Sequence, residues 1–133
     1  MVPRRLLSRF GSARKVVEVG VGNDASTALE WIEAGVAEVV VTDVHPRDVP
    51  PRLLFALDDV TEPRASVYSG AALVYGVRLP EELQASAARA AIAARAAFAA
   101  RALKDEWADL SHLYGGFETM GGGWRLYRDP LGR

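Results

Sequence analysis

The stretch VVEVGVGND at residues 16–24 decides which fold this chain can adopt. Its apolar, β-branched first half is typical of a strand that is buried on both faces. Gly20 and Gly22 follow, and glycines at such a turn let the backbone bend sharply and let a ligand approach it closely. A helix that begins directly after the turn points its free N–H groups at that ligand. The stretch therefore predicts a strand–turn–helix unit with a binding site at the turn.

The residues on either side of this turn extend the unit into an α/β fold. Short connections that pass through a helix require the strands they join to be parallel. The pattern therefore predicts a Rossmann-like, mostly parallel twisted sheet with flanking helices. The predicted elements are strands at Lys15–Val19, Glu38–Thr42, Arg52–Leu57 and Ala71–Val77, and a first helix at Ala25–Ala34 with Asp24 as its N-cap and Gly35 as its stop.

The second half of the chain has weaker patterns. Proline is favourable at the first position of a helix, and the alanine-rich sequence after it predicts one long helix over Pro80–Lys104. Beyond it we expect a strand at Trp107–His112, a glycine-rich loop over 114–123 that is either a lid over the binding site or a hairpin connection, and an antiparallel edge strand at Trp124–Arg128. The prediction is one Rossmann-like domain over residues 1–133, made of a basic N-terminal segment (1–14), a core (15–104), and a C-terminal loop with an edge strand (105–133).

The composition is that of an ordinary soluble globular protein. The chain has 133 residues, a formal net charge of −1 and no cysteine, which excludes disulfides, thiolate metal sites and cysteine nucleophiles. No stretch approaches the apolar length that a membrane span needs, and the N-terminus lacks the apolar core of a signal peptide. We therefore expect a cytoplasmic protein with no membrane partner and little attraction for nucleic acid.

The glycine turn fits two kinds of adenosine-containing ligand. Gly20-x-Gly22-x-x-Ala25 matches the dinucleotide-binding pattern, and Asp43 lies further along, in the zone expected for a ribose-binding acid. In dinucleotide folds the position two before the first glycine is apolar, whereas class I S-adenosylmethionine-dependent methyltransferases place an acid there. This chain has Glu18, which is costly at the end of a buried strand unless a partner such as a ligand ammonium group faces it. The turn therefore favours S-adenosylmethionine over NAD.

Acidic residues follow three successive predicted strands. Glu18 ends the first strand, Asp43 ends the second, and Asp58 and Asp59 follow the third. The carboxyl ends of parallel strands form the edge at which open α/β sheets bind ligands. In the methyltransferase-like fold the second acid binds the ribose hydroxyls and the third lies near the adenine amino group. The predicted S-adenosylmethionine site consists of Glu18, Gly20, Gly22, Asp43, Asp58 and Asp59.

Four segments of the chain resemble a known family. VVEVGVGND (16–24), VVVTDVHP (39–46), LDDVTEPR (57–64) and ALVYGVRLPEELQ (72–84) are similar to uncharacterised protein family 0146, whose members are short and mostly archaeal. The resemblance covers residues 15–104, and YGVRLPEELQ is its most specific part. It implies a Rossmann-like fold that is a truncated form of the class I methyltransferase fold. It carries no established activity, so the reaction stays open.

The segment after the fourth strand offers the candidate catalytic residues. Tyr75 and Arg78 could orient an anionic substrate, with core packing and a surface ion pair as the respective alternatives. The segment has no acid and no Asn-Pro-Pro-aromatic motif, so methylation of amino groups is not supported. Methyl transfer needs in-line positioning more than acid–base chemistry, so this does not exclude a methyltransferase.

Three functions remain open from the sequence. The first is a methyltransferase-like protein that binds S-adenosylmethionine, with an unknown substrate and with or without activity. The second is a non-catalytic nucleotide-binding or scaffold module, which could form a homodimer through the long alanine-rich helix. The third, less favoured, is an NAD-binding domain. We predict no metal site, because His45 and Asp48 lie in a proline-rich loop without fixed ligand spacing.

Overall fold

The computed structural model describes residues 1–132 and contains one seven-stranded sheet in the order β3-β2-β1-β4-β5-β7-β6. The first five strands along the chain pair in parallel, and the last two pair antiparallel at one side of the sheet. The strands are β1 (Lys15–Val19), β2 (Glu38–Asp43), β3 (Leu54–Leu57), β4 (Leu73–Leu79), β5 (Ala97–Ala102), β6 (Glu118–Gly121) and β7 (Trp124–Tyr127). The predicted α/β class and the mostly parallel sheet are confirmed.

The helices lie on both faces of this sheet and divide the core into two clusters. One cluster holds Val17, Val74 and Phe98 beneath the last helix, and the other holds Val16, Leu73 and Trp31 beneath the first two. Strands buried on both faces have continuous apolar sequences, which is why β1 and β2 could be located from sequence. The helices are α1 (Arg4–Phe10), α2 (Ser26–Ala34), α3 (Ala65–Tyr68) and α4 (Glu81–Ala93), and a 3-10 turn follows at Leu103–Asp105.

The predicted long helix is wrong in its second half. Helix α4 ends at Ala93, and Arg95 takes a left-handed conformation with φ of 61° before β5 begins. The residues AFAARA of β5 lie between β4 and β7, and Phe98, the second of them, is fully buried. Alanine has the highest helix propensity, but this preference is worth less than about 1 kcal/mol per residue, so the free energy gained by completing the sheet overrides it. The alanine face expected for a homodimer packs inside the chain and is not exposed.

The C-terminal tail also differs from the prediction. Trp107–His112 forms no strand, and part of the expected loop is strand β6. The antiparallel strand at the end is confirmed over Trp124–Tyr127, but β6 rather than β7 occupies the edge of the sheet. Three consecutive glycines with positive φ, residues 121–123, make the tight turn between β6 and β7. Of the two roles that the sequence leaves open for this loop, its glycines at 121–123 therefore form the hairpin connection.

The side chain of Gln84 connects the start of α4 to the backbone of residues 106–108 by hydrogen bonds. Its side chain is fully buried, its amide nitrogen donates to the carbonyl oxygens of Leu79 (3.1 Å) and Glu106 (2.9 Å), and its oxygen accepts from the N–H of Ala108 (2.8 Å). All three partners are backbone groups of segments without regular structure or at the end of a strand. A buried amide that satisfies three backbone groups fixes how the chain returns over the sheet. Within residues 1–132, no helix is long and apolar enough to cross a membrane.

Replacing Gln84 with leucine should destabilise the protein by about 3 kcal/mol, because three buried backbone groups lose their partner. The matched control is Glu82→Leu, an exposed position on the same helix, which should change the free energy of unfolding by less than about 1 kcal/mol. Urea unfolding followed by circular dichroism measures both values. Equal effects of the two substitutions would contradict the connecting role of Gln84.

Candidate functional site

A cleft of about 250 Å³ opens at the carboxyl ends of β1 and β4. The glycine turn after β1 and the beginning of α2 form one wall, and the end of β4 with the 3-10 turn forms the other. This is the position at which open parallel sheets bind ligands, because the strand order reverses between β1 and β4. The lining residues are Glu18, Gly20, Val21, Gly22, Asn23, Asp24, Thr27, Val77, Arg78 and Leu103.

The glycine turn has the geometry that its sequence predicts. Gly20 and Gly22 have φ values of 68° and 60°, a left-handed backbone conformation that residues other than glycine rarely adopt. A Cβ atom added at either residue would meet no atom within 4 Å. The turn is therefore open toward the cleft, and glycine is required there by backbone conformation rather than by crowding within the protein.

Glu18 lies at the inner end of the cleft with its carboxyl group almost completely buried. Only 1% of the residue is exposed, and the hydroxyl group of Tyr75 donates to its Oε1 at 2.7 Å. Burial raises the pKa of Glu18 to about 8. The nearby negative charge of Asp24 also raises this pKa, whereas the hydrogen bond from Tyr75 lowers it. Glu18 is therefore mainly protonated at neutral pH, and a cation beside it would favour its charged form.

Tyr75 is a core residue that positions Glu18. Its ring is fully buried, with ring centroids 5.9 Å from Trp31 and 6.1 Å from Trp124. Burial, together with the neighbouring Glu18, keeps the pKa of the Tyr75 hydroxyl well above its ordinary value. The hydroxyl therefore acts as a hydrogen-bond donor. The sequence left core packing and substrate orientation open for Tyr75. The structure shows that its ring packs in the core and that its hydroxyl group binds Glu18.

Asp43 holds the glycine turn instead of lining the cleft. Its Oδ2 accepts from the N–H of Gly22 (2.8 Å) and its Oδ1 from the N–H of His45 (3.0 Å), and the guanidinium of Arg47 lies 3.4 Å from Oδ2. Burial by itself would raise the pKa of Asp43, but these two N–H groups and Arg47 lower it below its ordinary value. Asp43 is thus an ionised group that links the end of β2 to the turn after β1.

Asp58 and Asp59 lie outside the cleft and have partners of their own. The carboxylate of Asp58 accepts from the hydroxyl of Tyr68 (2.9 Å) and the N–H of Arg64 (3.0 Å). Asp59 is exposed and accepts from the N–H and hydroxyl of Thr61 (2.9 and 2.7 Å). Of the four acids assigned to the site from sequence, the structure therefore brings only Glu18 into the cleft.

Arg78 supplies the cationic side of the cleft. It is exposed, lines the cleft, and adopts a left-handed conformation with φ of 51°. Such a conformation is strained for arginine, and strained residues tend to lie at functional sites. Bonds from Ser26, together with the positive charge of Arg78, hold the pKa of Asp24 below its ordinary value.

Six lining residues of the cleft were not assigned to the site from the sequence, namely Val21, Asn23, Asp24, Thr27, Val77 and Leu103. Asp24 was predicted as the N-cap of α2, but the N-cap position is Ala25, and Asp24 accepts from the N–H of Ser26 at 2.9 Å. Thr27 lies in the first turn of α2, and Leu103 comes from the segment predicted as helix. The position of Thr27 one turn after the glycines could have indicated it, whereas Leu103 could not be located before β5 was known.

The unusual pKa of Glu18 predicts how stability depends on pH. The folded state favours protonated Glu18 and the unfolded state releases its proton near pH 4.5, so the stabilisation is complete below pH 4.5 and is lost as the pH rises through 8. The free energy of unfolding should fall by roughly 3 kcal/mol between pH 5 and pH 8. Glu18→Gln keeps an acceptor for Tyr75 but cannot ionise, so this decrease should disappear. Urea unfolding at several pH values measures it, and parallel curves for the two proteins would contradict the assignment.

Solved structures of methyltransferases share this fold. An S-adenosylmethionine-dependent methyltransferase from Mesorhizobium loti superimposes with a TM-score of 0.59 over 94% of this chain and 72% of that protein, at 12% sequence identity. At so low an identity the likeness shows the fold alone. The mostly parallel sheet with its flanking helices thus has a Rossmann-like, methyltransferase-like fold.

Sequence relatives come from archaea. A UPF0146 protein of Halobacterium salinarum is 42% identical over 82 residues, which are 62% of this chain and 63% of that protein. A UPF0146 protein of Archaeoglobus fulgidus is 45% identical over 69 residues, which are 52% of each. The chain thus matches less than two thirds of the length of these relatives. The model of the uncharacterised protein family UPF0146 matches residues 3–112, and the chain belongs to that family.

Proposed function

We propose that this protein binds S-adenosylmethionine in the cleft between the glycine turn and Arg78. The observation that carries the proposal is Glu18, a buried carboxyl group that faces the cleft beside two left-handed glycines. A buried acid with one neutral partner is unfavourable when charged, and a cationic ligand group relieves that cost. The methyltransferase-like fold of the chain supports the same ligand class.

The residues of the cleft fit such a ligand. The amino group of the methionine moiety would pair with the carboxyl group of Glu18. The open space over Gly20 and Gly22 would let the ligand lie directly against the backbone of the glycine turn. Asp43 takes a positioning role in this proposal, because its carboxylate already binds the N–H groups of Gly22 and His45. Asp58 and Asp59 contribute nothing to the proposed site, because their carboxylates are bonded outside the cleft.

A transfer reaction, where one occurs, would depend on Arg78. The bound cofactor supplies an activated methyl group, and the protein has to hold an acceptor in line with it. Among the described lining residues, Arg78 is the one cation, so it would orient an anionic acceptor. A second candidate function is nucleotide binding without transfer. It is favoured by the end of β4, YGVRL, which contains no acid, amide or histidine that could act on an acceptor.

Binding of S-adenosylmethionine and S-adenosylhomocysteine should be measurable by calorimetry, and Gly22→Ala should weaken it at least roughly tenfold. The added methyl group would strain a backbone with φ of 60° and would extend into the cleft. The matched control is Gly116→Ala, where the added group also meets no atom within 4 Å but lies outside the cleft. The control should bind as the wild type does. Binding of NADH alone would instead support the dinucleotide-binding alternative, and no binding of any of the three would refute the proposal.

Binding should also release a proton. Glu18 is mainly protonated at pH 7, and an ammonium group beside it favours the carboxylate. Calorimetry in two buffers of different ionisation enthalpy should therefore show release of close to one proton per ligand at pH 7. Glu18→Gln should abolish the release and weaken binding. Equal heats for the wild-type protein in the two buffers would show that Glu18 does not face the ligand's charge.

A further inference from the structure

The outer strand β3 has an unusually apolar free edge. Its four residues, LFAL, include no charge and no proline, and 53% of Leu54 and 51% of Leu57 are exposed. Among the described residues 1–132, no strand pairs with its outer side. Edge strands of stable monomers normally carry charges, prolines or bulges that prevent pairing with another chain. β3 has none of these within its four residues.

The backbone of β3 presents hydrogen-bonding groups on this free side. The N–H of Asp58 donates to the carbonyl of Asp43 at 3.0 Å, and in a parallel ladder alternate residues face the same neighbour. Leu54 and Ala56 therefore face β2, while Phe55 and Leu57 direct their N–H and C=O groups outward. The guanidinium of Arg64 donates to the Leu57 carbonyl, which keeps a second lone pair for another donor.

A groove lies beside this edge. Its volume is about 600 Å³, and its lining combines the apolar Val40, Leu54 and Val67 with the charged Lys15, Glu38 and Arg64. Helix α3 consists of only four residues, so it covers little of this face of the sheet. The groove and the exposed leucines form one continuous surface, which we call the β3 edge (Leu54–Leu57 with the groove beside it).

We propose that the β3 edge pairs antiparallel with the same edge of a second copy of this chain, with the two-fold axis at Ala56. Phe55 of each copy then lies opposite Leu57 of the other, and the two residues exchange N–H···O bonds. The two Ala56 residues face each other as a pair without hydrogen bonds. Their small side chains leave room on the groove side for Leu54 of both copies.

The charges at the two ends of β3 fit this arrangement. Arg52 precedes the strand and Asp59 follows it, and both are exposed. Within its own chain Arg52 forms an exposed ion pair with Glu33 at 3.0 Å and Asp59 accepts from Thr61, and such exposed contacts are weak enough to exchange for a partner in the second copy. Antiparallel pairing about Ala56 brings Arg52 of one copy beside Asp59 of the other at both ends of the interface. A parallel arrangement would instead place like charges together. The pairing is thus complementary in backbone groups, apolar side chains and charge, and it does not depend on what the cleft binds.

A single cysteine at the two-fold axis tests the register. The chain has no cysteine of its own, so Ala56→Cys provides one thiol per copy. Directly opposed residues of a pair without hydrogen bonds have Cα atoms about 4.5 Å apart, which is within the range that a disulfide spans. Mild oxidation should convert most of this variant to a covalent dimer at protein concentrations where Leu131→Cys, whose position is more exposed than that of Ala56, stays monomeric. Equal cross-linking of the two variants would overturn the proposed axis.

Sedimentation of the full chain tests the association itself. The wild type should sediment as a dimer at micromolar concentration, and Leu57→Lys should raise the dissociation constant at least roughly tenfold by placing a charge in the apolar pair. Leu131→Lys, which changes an equally exposed leucine elsewhere, should leave it unchanged. Unfolding curves establish that both variants are folded. A monomeric wild type, or equal effects of the two lysines, would refute the proposal.

Discussion

The hydrogen bond from Tyr75 to Glu18 is the contact on which the centre of this protein depends. The two residues lie opposite each other on β4 and β1, the central pair of the sheet. The ring of Tyr75 is held between Trp31 of α2 and Trp124 of β7, so elements from both halves of the chain fix the position of one hydroxyl group. Burial keeps this acid neutral, and the hydrogen bond from Tyr75 fixes its position at the cleft. Stability and ligand binding thus make opposite demands on Glu18, since folding favours its neutral form and a cation favours its charged form.

The sequence determines the first half of the fold by local rules. Strands β1 and β2 are apolar and β-branched, and Gly35 ends α2 with a left-handed φ of 117°, as predicted. The second half was not predictable in this way, because alanine is compatible with both helix and strand. Whether AFAARA becomes a strand depends on the free edge of β4 on one side and on β7 on the other. That information lies far along the chain, and helix propensity cannot supply it.

The location of the site could be predicted from the sequence, but only some of the residues that line it could be. An acid within an apolar strand is unusual enough to indicate Glu18, and two glycines indicate the turn. The acids after β2 and β3 lie at the expected edge of the sheet. Their hydrogen-bond partners, however, depend on tertiary contacts that the spacing of residues in the sequence does not predict. Asp43 is satisfied by N–H groups of the turn, and Asp58 by the hydroxyl of Tyr68 ten residues later. Acids at strand ends therefore predict an edge of the sheet, not a set of ligand contacts.

The two edge strands of the sheet, β6 and β3, differ in how far other elements cover them, and this difference determines where the proposed dimer interface lies relative to the cleft. At one end, the hairpin of β6 and β7 is covered by α1, and Glu118 binds Arg9 and Arg128. At the other end, β3 pairs with β2 on its inner side, and on its outer side no strand within residues 1–132 pairs with it, although Arg64 donates to the Leu57 carbonyl. Because the proposed pairing of β3 is antiparallel, the carboxyl ends of the strands in the two copies would face opposite edges of the combined sheet. Each cleft would then open away from the interface, so association would complete the sheet without closing either binding site.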